Sequence, residues 1–219
     1  MEKKSENIHK LHAVDIEIVK EFVKICNEND LLYYMICGTM LGAIRHKGFI
    51  PWDDDIDLGM PREDYEKFLK LAPKKLSSHL KLVNYHTDAT NQYYITRIGD
   101  TNTKVVETRI ANDAKYTHIS IDIFPLDGSP NNPILRQLYY LRVMYHRAIM
   151  SLCYKDSIDP DRKRTSKEKF LLYIMTKIPI EKMFNPNKVK DKIDRLMRRH
   201  EVESSNVIGC LMGAYRTRE

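Results

Sequence analysis

Four aspartates within five positions, Asp53, Asp54, Asp55 and Asp57, stand between the apolar Ile50-Pro51-Trp52 and the apolar pair Ile56 and Leu58. Carboxylates this close raise one another's proton affinity, so a fold that gathers them beside apolar residues calls for a cation. A divalent cation is the obvious partner. The acids also close a longer run, Gly38-Thr39-Met40-Leu41-Gly42-Ala43-Ile44-Arg45-His46-Lys47-Gly48-Phe49-Ile50-Pro51-Trp52, which begins with small residues. A small-residue turn followed by paired acids is the layout of a phosphate cradle facing a metal site.

Periodicity places this run in a fold. Ile8, Leu11, Val14, Ile18, Phe22 and Ile25 recur at spacings of three and four and predict an amphipathic helix over residues 6–28. Leu31 to Cys37 reads as a short buried strand, and Thr39 as the N-cap of a helix from Met40 to Arg45, with a loop at Lys47-Gly48 and Pro51. A strand starting near Asp55 puts Asp55 and Asp57 on one face and Ile56 and Leu58 on the other, leaving Asp53 and Asp54 to shape the turn. Pro61 opens a helix that runs to Leu71.

Further strands are expected at Leu80–Asn84, Tyr93–Ile98, Thr103–Glu107 and His118–Phe124, the last stopped by Pro125. It places His118, Ser120 and Asp122 opposite the isoleucines. Helices follow at about Ile134–Leu152, Ser166–Lys177 and Pro186–His200. Strands interleaved with helices indicate an α/β or α+β domain over residues 1–129, followed by a helical half over residues 130–219.

The chemistry follows from placement. Magnesium, or manganese in its place, is commonly held by one or two carboxylates and completes its shell with water and substrate phosphate. Asp55 and Asp57 fit that role, and Asp122 is the candidate third acid, to share the metal or take a proton from an attacking hydroxyl. Gly38 and Thr39, between strand and helix, expose backbone N–H groups to a phosphate. Arg45, His46 and Lys47 supply positive charge for it, against the plain alternatives of solvated charges and a structural histidine. Trp52, the lone tryptophan, is either a packing anchor after Pro51 or a face for a quaternary ammonium group.

Composition excludes several other classes. With 219 residues, 42% of them hydrophobic, the chain can bury a sizeable core. It has no apolar stretch near the roughly 18 residues of a membrane span. The N-terminus lacks the apolar block of a secretory signal, which predicts a cytoplasmic protein. The four cysteines form no closely spaced pairs and are expected to be reduced thiols, most of them buried, without a zinc site. The net charge of +6 is concentrated towards the C-terminal third. It reads as a solvated helix face or as a contact for an anionic partner, whether nucleic acid, an anionic membrane surface or a phosphorylated small molecule.

The segment from Gly38 to Asp57 closely resembles the signature of the LicD family of phosphotransferases, and Ile121-Asp122-Ile123-Phe124-Pro125-Leu126-Asp127 resembles that family's second motif. The resemblance implies a nucleotidyltransferase-like mixed sheet flanked by helices. It also implies transfer of a substituted phosphate, typically phosphocholine from CDP-choline or the group of another CDP-linked alcohol. The acceptor would be a hydroxyl of a glycan or lipid-linked glycan, such as a teichoic acid or lipopolysaccharide precursor, and CMP would be released. Nucleic acid is not an expected partner. Carried onto this chain, the resemblance makes Asp55 and Asp57 the metal-binding pair, Gly38 and Thr39 the donor-phosphate turn, and Asp122 the third acid. Residues 213–219 resemble the beginning of a later family segment, which suggests a truncated or short member. Alternative readings are a nucleotidyltransferase moving NMP from an NTP to a small acceptor, and an inactive nucleotide- or glycan-binding module.

Overall fold

In the computed structural model, residues 2–88, 91, 94–106, 116–154, 165–166, 173 and 180–211 are described. In chain order they form α1 (Glu2–Asn27), β1 (Tyr34–Met35), α2 (Cys37–His46), β2 (Asp57–Pro61), α3 (Arg62–Lys75), β3 (Leu80–Val83) and β4 (Thr96–Asp100). Then come β5 (Val105–Val106), β6 (Tyr116–Thr117), β7 (Ser120–Gly128), α4 (Pro133–Cys153), α5 (Ile180–Met183), α6 (Pro186–Met197) and β8 (Ile208–Gly209). The main sheet runs β1-β2-β7-β4-β3, with β8 on the end of β7, while β5 and β6 pair separately. Its β2–β7 pair is parallel and its other pairs are antiparallel, so the sheet is mixed, as the sequence implied.

Alternation along the strands sorts core from site. Ile56, Leu58 and Met60, Ile98, and Ile121 and Ile123 are buried in one cluster with Ile18, Phe22 and Ile25 of α1 and Phe68 of α3. Phe22 meets Phe68 with ring centroids 5.0 Å apart. The residues between them, Asp57, Arg97 and Asp122, therefore point to the opposite face of the sheet. They stand in one row across three adjacent strands, because Asp57 is registered with Asp122 and Asp122 with Arg97.

Several local expectations change. The strand expected over Leu31–Cys37 is two residues long, and it is an edge strand with Tyr34 and Met35 about half exposed. With β2 as its partner on one side, it is not buried. β2 begins at Asp57, so Asp55 lies just before the strand, although Ile56 already accepts the N–H of Asp122 at 2.8 Å. Pro125 does not stop β7. Since the N–H of Asp122 points to β2, that of residue 125 would point the other way, where β4 has ended its pairing at Ile123, so no ladder bond is lost. The helices expected near residues 134–152 and 186–200 are present as α4 and α6. Tyr93 and most of the expected helix over residues 166–177 lie outside the described residues.

The C-terminal elements are tied to the core by buried charge. Arg62 donates to both oxygens of Asp127 at 2.7 and 2.6 Å and to Asp194 of α6 at 2.9 Å. Asp194 also accepts from Arg198 Nε at 2.5 Å and from the Tyr94 hydroxyl, while Arg198 reaches Glu66 at 2.7 Å. β8 extends the contact by pairing with Asp127 and Gly128. Lys190 is buried beneath Tyr154, donating to its hydroxyl at 2.9 Å, and burial lowers its ammonium to about 8. Of the cysteines, all free, Cys26 is buried, whereas Cys37 is exposed and Cys153 and Cys210 are intermediate, fewer buried than expected. Among the described residues no helix is long and apolar enough to cross a membrane.

Candidate active site

The turn into α2 sets the site. Ile36 occupies the cap position without a side-chain cap, and Cys37 begins the helix in a left-handed conformation at φ 50°. Thr39 is therefore not the N-cap: it lies in the first turn, and its Oγ1 accepts the backbone N–H of Asp57 at 2.8 Å. The first N–H groups of α2 are left without a capping side chain, the condition under which a helix start receives an anion. Gly38 lets the acidic loop come close, since a Cβ there would stand 2.6 Å from Asp53 Oδ2. Gly42 does the same for the following loop, where a Cβ would meet the Gly48 carbonyl at 2.6 Å.

Among the described residues, Asp53, Asp54 and Asp55 present carboxylate oxygens within 4.8 Å of one another. The sequence assigned Asp53 and Asp54 to the turn, yet they converge with Asp55. Asp57 stands beside Asp122 on the adjacent strand, and its carboxylate accepts from the Cys37 thiol. Asp122 is held by Arg97, whose Nε donates to Oδ1 at 2.8 Å and Nη2 to Oδ2 at 3.4 Å. Burial, then the charges of Asp53, Asp122 and Asp54, pushes Asp55 up to about 6. Burial, followed by Asp55, Asp122 and Asp53, pushes Asp57 up to about 7. Oxygen-only donors under mutual repulsion suit a hard divalent cation.

Two contributors were missed by the sequence reading. Arg97 lies on an alternating strand, and the polar residue between Thr96 and Ile98 was the available signal. The other is the N-terminal half of α1. His12 donates from Nε2 to the Asp53 carbonyl at 2.8 Å and stacks on Phe49 with centroids 3.8 Å apart. Asp15, in the apolar stripe of that helix, is raised to about 8 by burial and by the charges of Asp55, Asp54 and Asp122.

The structure does not bring every sequence candidate to the acids. Arg45, His46 and Lys47 are exposed at the far end of α2, about 12 Å along the axis from Gly38 at 1.5 Å per residue. Trp52 is no packing anchor: it is 76% exposed and meets the His46 ring edge-on at 6.3 Å. Through Trp52, next to Asp53 in sequence, the basic end of α2 adjoins the acidic loop.

Comparison with known proteins gives this arrangement a context. Over 148 residues, 67% of this chain, it is 32% identical to the lipopolysaccharide cholinephosphotransferase LicD of Haemophilus influenzae. The match covers 53% of that protein, so the chain spans about half the length of this relative. An uncharacterized protein of Rickettsia typhi is 31% identical over 111 residues, covering 51% of this chain and 33% of that protein. The human ribitol 5-phosphate transferase FKRP is 40% identical over 48 residues, 22% of this chain and 10% of its own length. The model of the nucleotidyltransferase domain of LicD/FKTN/FKRP matches residues 30–160, a span that holds the α2 turn, the acids, and strands β2, β4 and β7. The chain belongs to the LicD/FKTN/FKRP nucleotidyltransferase-domain family.

Proposed function

We propose that this chain transfers a substituted phosphate, most readily phosphocholine, from a CDP-linked alcohol to a hydroxyl of a glycan or lipid-linked glycan, releasing CMP. The observation that carries the reading is the joining of the α2 start to the acidic strand by the Thr39–Asp57 bond, which sets uncapped N–H groups beside converging carboxylates. The names of the relatives, which specify transfer of choline phosphate and ribitol 5-phosphate, are consistent with it.

Asp53, Asp54 and Asp55, whose oxygens converge, would hold magnesium or manganese, with Asp57 and Asp122 on the adjoining strands as further candidates. The fit rests on the converging oxygens, on the buried and unpaired Asp15 carboxylate, and on the close approach that Gly38 permits. When bound, the cation neutralises the diphosphate and the charge that develops on it. The backbone N–H groups at Gly38 and Thr39 receive phosphate oxygens. Arg45, His46 and Lys47 attract the anionic donor, and the exposed face of Trp52 receives the quaternary ammonium of choline. Asp122, its rotamer fixed by Arg97, orients the acceptor hydroxyl and accepts its proton at a carboxylate oxygen. Positioning and charge stabilisation supply most of the rate in phosphoryl transfer of this kind.

The test is titration of the protein with CDP-choline, CDP-ribitol and a set of NTPs, with magnesium and then with EDTA, followed by phosphorus NMR of turnover with a glycan acceptor. Magnesium-dependent binding of CDP compounds and release of CMP are expected. Release of pyrophosphate from an NTP would replace the reading with nucleotidyl transfer, and binding of no nucleotide would end it.

A further inference from the structure

Asp15 has a place in the molecule that packing does not explain. It lies one turn before Ile18 on the side of α1 that carries Ile18, Phe22 and Ile25 into the core, and it is fully buried, at 0% exposure. Among the described residues, neither Oδ1 nor Oδ2 has a hydrogen-bond partner. Its electrostatic neighbours are other carboxylates: Asp55, Asp54 and Asp122.

Buried polar groups in folded proteins are almost always paired, and an orphaned one points to strain, to function or to an ion. The same stretch of α1 satisfies its other polar group, His12, which grips the Asp53 carbonyl and stacks on Phe49. That grip fixes the acidic loop against α1 beside Asp15. The helix thus carries, one turn apart, a donor bonded to the loop and a bare carboxylate whose electrostatic neighbours are the acids.

Depth decides what Asp15 can touch. Asp54 and Asp55 are exposed, whereas Asp15 is fully buried, one helical turn from the His12 that grips the Asp53 carbonyl. A magnesium-sized ion held by the exposed acids keeps several of its waters. Those waters are donors, and an inward-facing one needs an acceptor. Carboxylates in that position orient the ion's ligands and waters and are worth about 10- to 100-fold in affinity.

We infer that Asp15 is a positioning residue of the metal centre: its two orphaned oxygens accept hydrogen bonds from the inward waters of the divalent cation held by the Asp53–Asp57 loop, coupling α1 to metal occupancy. This rests on the reading that the centre holds such a cation. It assigns a role in the site to α1, whose Asp15 precedes the family-matched residues 30–160.

The experiment uses the full chain and manganese as the probe. Wild type, Asp15→Asn and Asp55→Asn are titrated with MnCl2 by calorimetry and by the loss of the free-ion paramagnetic signal, and each is melted in EDTA and in MnCl2. Asp15→Asn puts a neutral isostere in place of a buried, unpaired acid, so in EDTA it should melt no lower than wild type, yet it should bind manganese about 10- to 100-fold more weakly. A merely structural role gives the opposite pair of results, a lower melting point and unchanged affinity. Affinity of Asp15→Asn within twofold of wild type, with Asp55→Asn impaired, overturns the role of Asp15 and leaves the catalytic reading standing. Failure of the wild type to bind manganese, with CDP-choline present or absent, overturns both.

A measurement on the wild type alone guards against an unstable variant. Hydrogen exchange around residues 12–18 should slow when manganese is added, together with residues 53–57. Protection confined to the loop would also overturn the inference.

Discussion

Thr39 Oγ1 accepts the backbone N–H of Asp57 at 2.8 Å, so one hydroxyl fixes the start of α2 to the first residue of β2. The start of α2 and the acid-bearing strand cannot shift separately while that bond is intact. Thr39→Val keeps the shape and leaves the N–H of Asp57 unpaired, which should cost about 1–3 kcal/mol. Urea denaturation would show it, and Thr39→Ser should restore most of the loss. Equal stability of all three proteins would mean that water replaces the hydroxyl.

Gly38→Ala tests the approach of the acids. The helical backbone accepts alanine, but its Cβ would lie 2.6 Å from Asp53 Oδ2, so the carboxylate must swing out. Stability should change by less than about 1 kcal/mol, a typical surface effect. Manganese affinity and transfer should both fall at least about tenfold, which corresponds to roughly 1.4 kcal/mol.

Arg97 separates Asp122 from bare repulsion by Asp57. Arg97→Met should destabilise the protein by about 1–3 kcal/mol, as expected when a mostly buried carboxylate loses its charged partner. Adding Asp122→Asn to Arg97→Met should return much of that loss. The double-mutant cycle, read by chemical denaturation, would show additivity if the pair contributed nothing.

Stability in EDTA should fall as pH rises. The carboxyls of Asp55, Asp57 and Asp15 are raised to about 6, about 7 and about 8 in the folded protein. The folded state therefore binds more protons than the unfolded chain, whose aspartates titrate near about 3.9. This contribution is fully present below the unfolded value and is lost progressively as pH rises through the folded values. Urea midpoints at pH 5 and pH 8 should differ in EDTA, with the lower pH more stable, and millimolar magnesium should narrow the gap.

Arg62→Ala should be the most damaging of these substitutions, at about 3–5 kcal/mol, because it strands the buried Asp127 carboxylate. Arg62→Lys should not rescue it, since an ammonium cannot engage both oxygens of Asp127 as the guanidinium does. Thermal unfolding of both variants would check this.

Much of this was visible in local patterns. The apolar spacing of α1 and the alternation around Asp122 each depend on neighbours in sequence, and each placed its residues on the face where the structure has them. What escaped depends on partners brought from afar. Thr39 looked like a helix cap because the competing donor, Asp57, belongs to another element. Pro125 looked like a strand end because its tolerance depends on where β4 stops pairing. Arg97 acquires its role from the register with Asp122, and Asp15 was hidden by its own context, an acid within an apolar helical stripe that reads as an ordinary surface position.

The parallel pairing of β2 with β7 also bears on how the molecule assembles. Parallel neighbours cannot be joined by a tight turn, so α3, β3 and β4 are synthesised between the two strands that carry Asp57 and Asp122. The β3–β4 ladder can form early, from residues near in sequence, and meets none of the acidic repulsion. The share of that repulsion due to Asp122 is first felt when β7 enters between β2 and β4, bringing Asp122 to Asp57 and to Arg97 in the same movement. The guanidinium thus arrives with the charge it must offset, in the same step that places β7 between β2 and β4.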